Sequence, residues 1–240
     1  LRRQRKGRVE RIMTEKNIPL HVGIIMDGNG RWAEARGKKR AFGHKKGSEN
    51  VDRVVSYAFE RGVKTLSLYA FSSENWLRPK EEVDELMKLL KAYFKKFIGK
   101  IVKNDVKLNV MGDLSALTED LREIIYEDME KSKSSKGHVL NIGINYGGRQ
   151  EIVHAVKAAL KKGEEITEKS ISENLYTAPF GEPDLIIRTG GEKRLSNFML
   201  YQGAYSELYF TDVLWPDFDE KEFDKALEDF SGRKRRFGKV

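Results

Sequence analysis

The sequence predicts a single α/β domain with a central, mostly parallel six-stranded sheet flanked by helices. Three observations predict it. Six short β-rich runs alternate with helical patterns. The segments between runs are long enough to carry the crossovers that parallel pairing needs. No repeat, linker or shift in composition divides the 240 residues, and one α/β domain of that size is ordinary.

The strand candidates are 21–26 (HVGIIM), 64–70 (KTLSLYA), 106–111 (VKLNVM), 139–145 (VLNIGIN), 184–188 (DLIIR) and 207–211 (ELYFT). These are short runs rich in Val, Ile, Leu and aromatic residues. The helix candidates are about 44–61, 81–103, 118–133, 148–162, 168–176 and 219–230. In the second of these, Val83, Leu86, Met87, Leu90, Phe94, Phe97, Ile98 and Ile101 recur at three- and four-residue steps, and Leu89, Tyr93 and Val102 widen the stripe. Periodicity fits a buried helix or the wall of an apolar channel equally.

Composition narrows the function. Hydrophobic residues at 39% support a packed core. Cysteine is absent, which excludes disulfides and thiolate metal sites. No apolar run approaches a membrane span and no signal pattern is present, so a cytoplasmic location, at most peripheral to a membrane, is expected. The net charge of +8 favours anionic partners. Much of it sits at the ends, in LRRQRKGRVER and GRKRRFGK, which read as solvated tails. Residues 1–20 read as a basic N-terminal extension and 21–240 as the folded domain. Nucleic acid is not expected as a partner: binding by such ends is weak and lost with salt.

The polar clusters fall where strands end. Asp27-Gly28-Asn29-Gly30-Arg31-Trp32 follows the first run, and Phe71 to Pro79 (FSSENWLRP) the second. Tyr146-Gly147-Gly148-Arg149 follows the fourth, and Arg188 to Asn197 (RTGGEKRLSN) the fifth. Open parallel sheets bind ligands beyond the carboxyl ends of their strands, so four segments converge on one site.

In the first segment two glycines let backbone N–H groups approach an anion, and Arg31 adds a planar fork for phosphate. Asp27 would repel a bare phosphate; with Mg²⁺ it becomes a bridge. Gly28, Gly30 and Ala33 also match a dinucleotide fingerprint, but Asp27 suits a metal-free pyrophosphate badly and the next strand lies too far on. Arg40 and His44, four apart, can share a helix face and reach one phosphate, although a lone His is ordinarily a surface or core residue. Arg188 and Arg194 can clamp a diphosphate with Ser196 donating a hydroxyl. Glu207 is a candidate second carboxylate for Asp27.

Together these stretches resemble the cis-prenyltransferases, the undecaprenyl and dehydrodolichyl diphosphate synthases. The matching segments are HVGIIMDGNGRWA, RAFGHKKG, LSLYAFSSENWLRP, NYGGRQEI, PDLIIRTGGEKRLSNFMLYQGAYSELYFTDVLWPDF and the terminal RRFG, spanning residues 21 to 238. The resemblance implies condensation of isopentenyl diphosphate onto an allylic diphosphate, farnesyl diphosphate being the first choice, to give a long polyprenyl diphosphate, C55 being the first choice. A dehydrodolichyl or archaeal-type synthase with another primer or product length is the alternative, and after it a non-catalytic partner subunit of a two-component prenyltransferase, a reading that the presence of Asp27, Asn75, Arg188, Arg194 and Ser196 disfavours.

It also implies roles by position. Asp27 would hold Mg²⁺ and assist ionisation. Gly28, Asn29, Gly30, Arg31, Trp32, Arg40, His44 and Arg78 would bind the allylic diphosphate. Ser72, Ser73, Glu74, Asn75 and Trp76 would form a loop over the site, Asn75 being implicated in proton removal. Arg188, Arg194, Leu195 and Ser196 would hold isopentenyl diphosphate. Glu207 would join the metal site, conceivably from a partner subunit, in a homodimer whose Arg236-Phe237-Gly238 tail reaches the neighbour. The helix 81–103 would wall a hydrophobic tunnel, and product release would involve transient membrane contact. Two positions depart from the pattern. Lys193 replaces a frequent His and, when protonated, does not ligate Mg²⁺; Tyr201 replaces a frequent Trp.

Overall fold

The computed structural model describes residues 18–233. The expected tail motif 236–238 and most of the expected N-terminal extension lie outside them, as do the side chains of Ile98 and Val102. The packed domain begins earlier than residue 21. Ile18 packs on the core, Pro19 is buried, and the Leu20 N–H donates to Asp184 Oδ2 at 2.9 Å.

Six strands form one sheet: β1 (His21–Ile25), β2 (Thr65–Ser72), β3 (Val106–Met111), β4 (His138–Tyr146), β5 (Leu185–Arg188) and β6 (Glu207–Phe210). Their order is β3-β4-β2-β1-β5-β6, and every neighbouring pair is parallel. The apolar runs are continuous because both faces of such a sheet are covered; all five residues of β1 are buried.

The helices are α1 (Asn29–Glu34), α2 (Arg40–Glu60), α3 (Lys80–Lys103), α4 (Glu119–Lys131), α5 (Gly148–Lys161), α6 (Glu168–Glu173) and α7 (Glu220–Gly232). The larger core cluster joins the sheet to α2, α3, α4 and α7 through residues such as Val54, Phe94, Ile125 and Phe223. A smaller one on the opposite face gathers Ile25, Tyr69, Met111, Tyr146, Ile186, Phe198 and Met199. In α3, Val83, Phe94, Phe97 and Ile101 are buried, whereas Leu86, Leu89, Leu90 and Tyr93 are only half-buried. The apolar stripe therefore has a core side and a second side facing a pocket.

The register builds the site. Ile25 pairs with Tyr69 on one side and Arg188 on the other, and Ser72 with Tyr146. The polar segments thus leave the sheet at the same edge. After β1, residues 29–34 form the short helix α1, absent from the helix candidates and packed tightly on α2: a Cβ on Gly43 would lie 1.9 Å from the Asn29 carbonyl oxygen.

Candidate active site

A crevice of about 1040 Å³ opens at this edge. Its walls include Asp27, Gly28, Asn29, Gly30, Arg31, Arg40, His44, Ser72, Glu74, Asn75 and Arg78, and, across from them, Arg188, Arg194, Leu195 and Ser196.

Asp27 stands between the two groups. Its carbonyl is pinned from both sides, accepting from the Trp215 N–H at 3.0 Å and from the Thr189 hydroxyl at 2.7 Å. Its carboxylate meets Arg188 Nη2 at 2.9 Å and Arg31 Nη2 at 3.2 Å. The Arg188 guanidinium is nearly buried and also donates to Ser196 Oγ at 2.7 Å and to the Arg194 carbonyl. Ser196, Asn197 and Met199 all have positive φ (47°, 65° and 45°). Strain of this kind clusters at ligand sites, and here it turns the loop back over β5.

On the other wall, Gly28 begins α1 at φ 106°, a conformation few other residues adopt. Gly30 leaves room for a guanidinium: a Cβ there would lie 2.4 Å from Arg40 Cζ. Arg40, His44 and Arg78 converge on Glu82, at 3.4, 3.4 and 2.8 Å. Burial lowers the pKa of His44 and neighbouring Arg78 adds to this, against the pull of Glu82; the imidazole is neutral at neutral pH.

Ser72 caps the 3₁₀ turn Ser73–Leu77 in a capping box. The Ser72 N–H donates to Asn75 Oδ1 at 3.1 Å, which aims the Asn75 amide at the crevice. Glu74 accepts from Asn197 Nδ2 at 2.8 Å, closing the loop against the opposite wall. Burial opposes the charged form of Glu74, but this and other hydrogen bonds hold its pKa below the usual range.

Four expected residues are placed elsewhere. Trp32 donates to Asp217 Oδ1 at 2.7 Å under the Arg36 guanidinium, outside the crevice. Trp76 donates to Asn145 Oδ1 at 2.8 Å and packs on Phe71. Ser73 faces a separate groove beyond the 3₁₀ turn. Glu207 is not beside Asp27. It starts β6, paired with Leu185, at the end of the sheet remote from Arg188, and its carboxylate binds Arg233 Nη1 at 2.7 Å. Within one chain the two carboxylates form no common metal site. Arg149 and Asn197 line the crevice although only their segments, not the residues, were singled out.

Among the described residues no group of three or more acidic, His or Cys side chains could hold a metal by itself. A lone carboxylate facing a cation-lined crevice does fit Mg²⁺ that arrives with phosphate oxygens. Beside the crevice lies an apolar pocket of about 100 Å³, walled by Leu86, Leu89, Leu90 and Tyr93 of α3 and sharing Met26, His44 and Tyr69 with it. Among the described residues no helix is long and apolar enough to cross a membrane.

Cations gathered around one carboxylate, with an apolar recess alongside, form a site suited to phosphorylated ligands that carry an apolar part. The chain belongs to the cis-prenyltransferase family: a family model described as "Putative undecaprenyl diphosphate synthase" matches residues 25–238. An isoprenyl transferase of Fusobacterium nucleatum is 52% identical over 227 residues, covering 94% of this chain and 98% of that protein. A ditrans,polycis-undecaprenyl-diphosphate synthase of Pasteurella multocida, (2E,6E)-farnesyl-diphosphate specific, is 48% identical over 92% of this chain and 95% of that protein. The crystal structure of lavandulyl diphosphate synthase from Lavandula x intermedia, in complex with dimethylallyl diphosphate, superposes with a TM-score of 0.87 at 36% identity, covering 92% of this chain and 99% of that chain.

Proposed function

We propose that this chain condenses isopentenyl diphosphate units onto an allylic diphosphate, with farnesyl diphosphate as primer and a C55 polyprenyl diphosphate as product, a lipid carrier for cell-wall assembly. The observation that carries this reading is the division of the crevice. Arg40, His44 and Arg78 gather around Glu82 on the side that shares His44 with the apolar pocket, and Arg188 joins Arg194 and Ser196 on the other, with Asp27, paired to Arg31 and Arg188, between. A diphosphate with a hydrocarbon tail fits the first group and its pocket. A diphosphate with a short tail fits the second.

In the reaction, the bond between the allylic C1 and its diphosphate oxygen breaks while guanidinium groups aimed at the leaving diphosphate stabilise its charge. The double bond of isopentenyl diphosphate then attacks C1, and the cation this leaves on the isopentenyl unit gives up a neighbouring C–H proton to the released diphosphate, restoring a double bond. Holding both reactants in one crevice turns a bimolecular step into a local one. Asn75, whose amide does not titrate near neutral pH, orients the reacting groups rather than keeping the proton. Asp27 would hold Mg²⁺, which when bound neutralises charge on the diphosphate. The apolar pocket keeps the tail out of water, and enlarges along α3 as the tail grows.

We further propose that the protein works as a homodimer. Val153, Leu160 and Tyr205 are large side chains exposed at 52%, 60% and 71%, and Glu207, placed away from Asp27 in its own chain, would serve the partner's site. Transient membrane contact accompanies release of so apolar a product.

The test is direct. Purified protein is incubated with labelled isopentenyl diphosphate, farnesyl diphosphate and Mg²⁺, with and without chelator, and the products are sized. Long prenyl diphosphates that vanish with chelator are expected. No elongation with any allylic primer would refute the reading.

A further inference from the structure

Glu82 lies in the first turn of α3 and is approached by three basic side chains. Its Oε1 accepts from Arg78 Nη1 at 2.8 Å and lies 3.4 Å from His44 Nε2, and its Oε2 lies 3.4 Å from Arg40 Nε. The Glu82 side chain is 17% exposed, so these contacts are only partly screened by water. Arg40 and His44 come from α2, whereas Arg78 follows the 3₁₀ turn. Without an anion between them, the two guanidiniums in one corner would repel one another.

The carboxylate is charged. Burial works against its charged form, but the Arg78 and Arg40 guanidiniums outweigh that and hold its pKa below the usual range. Nor does it exhaust the donors. Arg78 gives it Nη1; Arg40 turns Nε towards it and donates Nη1 to Glu34 at 3.0 Å. A guanidinium carries five N–H donors, so each retains others for a ligand in the crevice.

We propose that Glu82 is a positioning residue for the allylic diphosphate: its carboxylate fixes Arg40, His44 and Arg78 around one subsite without itself touching the substrate. This rests on the reading that this wall takes the allylic diphosphate. Arg78 would otherwise belong to the loop, and Arg40 to the exposed start of α2. Glu82 makes one receptor of groups from two parts of the chain.

The experiment compares wild type with Glu82→Gln and Glu82→Asp in the elongation assay, alongside calorimetric binding of farnesyl thiodiphosphate, an unreactive allylic analogue. For Glu82→Gln, KM for farnesyl diphosphate should rise and analogue affinity fall by about tenfold, the worth of one charge-assisted hydrogen bond. KM for isopentenyl diphosphate, measured at saturating allylic substrate, should stay put, while the thermal midpoint falls modestly because the two guanidiniums lose the anion between them. Glu82→Asp should recover part of the affinity. A Glu82→Gln protein that binds the analogue more tightly would make Glu82 a competitor of the substrate, and unchanged affinity would make it a bystander; either overturns the proposal. A parallel loss for both substrates would mean general damage and overturn it too. Wild type that elongates nothing sinks the functional reading beneath; active wild type with an indifferent Glu82→Gln sinks only the role of Glu82.

Discussion

Arg188 ties Asp27 to Ser196: one guanidinium, 5% exposed, donates to the Asp27 carboxylate at 2.9 Å and to the Ser196 hydroxyl at 2.7 Å. The two walls of the crevice are therefore coupled through a buried cation. Asp27→Asn keeps the shape but removes the charge that Arg188 faces. Leaving a buried charge short of its partner should lower stability by about 2 kcal/mol. Turnover should fall further, by about a hundredfold or more, since a group aimed at developing charge is lost. Chemical denaturation and steady-state turnover measure the two separately. Near-normal turnover in Asp27→Asn would contradict the role assigned to this carboxylate.

Gly30 and Arg40 share one volume. Gly30→Ala would push a methyl group to within 2.4 Å of Arg40 Cζ. Because the clash is with the end of a flexible, half-exposed side chain, the fold should survive and the guanidinium should move instead. The expected result is an affinity for allylic diphosphate weakened by about tenfold with isopentenyl diphosphate unaffected, one misplaced charge-assisted contact being worth that much. Unaltered allylic affinity in a folded Gly30→Ala protein would show that Arg40 does not need this seat.

The sheet was legible because its strands are continuous apolar runs, and the convergence of the polar segments followed from parallel pairing alone. Short-range detail was less so. Helix α1 is not among the helix candidates because Gly28 and Gly30 suppress any helical signal, and its shape depends on packing against Gly43 of α2. Trp32 and Trp76 were expected in the crevice; their indole N–H groups find Asp217 and Asn145 instead, partners far off in sequence. Glu82 gave no signal because its importance lies in contacts with α2, nearly forty positions back. Glu207 looked like a companion of Asp27 until strand register placed it at the opposite end of β6.

His21 should make the fold sensitive to acid. It is 2% exposed, donates from Nδ1 to the Gly181 carbonyl at 2.9 Å and accepts at Nε2 from the Ser67 hydroxyl at 2.7 Å. Burial lowers its pKa to about 4, outweighing the backbone hydrogen bond and the nearby Asp184 charge. The folded state thus prefers the neutral ring, while the unfolded chain takes up a proton near the ordinary value of 6.5. Between those values the unfolded state binds more protons, so stability must fall as pH drops from 6.5 towards 4. The full effect is about 3 kcal/mol. Urea unfolding at pH 7 and pH 5 should show the loss, and His21→Gln should shrink it. An identical pH slope in His21→Gln would assign the effect to other groups.

Leu86 stands at the doorway: it borders both the crevice and the apolar pocket beside α3. A tail growing from the allylic subsite has to pass it to stay out of water. The pocket holds only about 100 Å³ in this state, so elongation requires α3 to yield, and a bulkier doorway side chain raises the cost of each added unit. Overfilling a packed apolar site costs about 1–3 kcal/mol, enough to stall elongation early without blocking the first condensation. Leu86→Trp should therefore give shorter products from the same primer while the rate of the first addition stays within about threefold, below 1 kcal/mol of barrier. Thin-layer or mass analysis of the products at fixed substrate ratio reads this out. Full-length product from Leu86→Trp would mean that the chain leaves the crevice by another route.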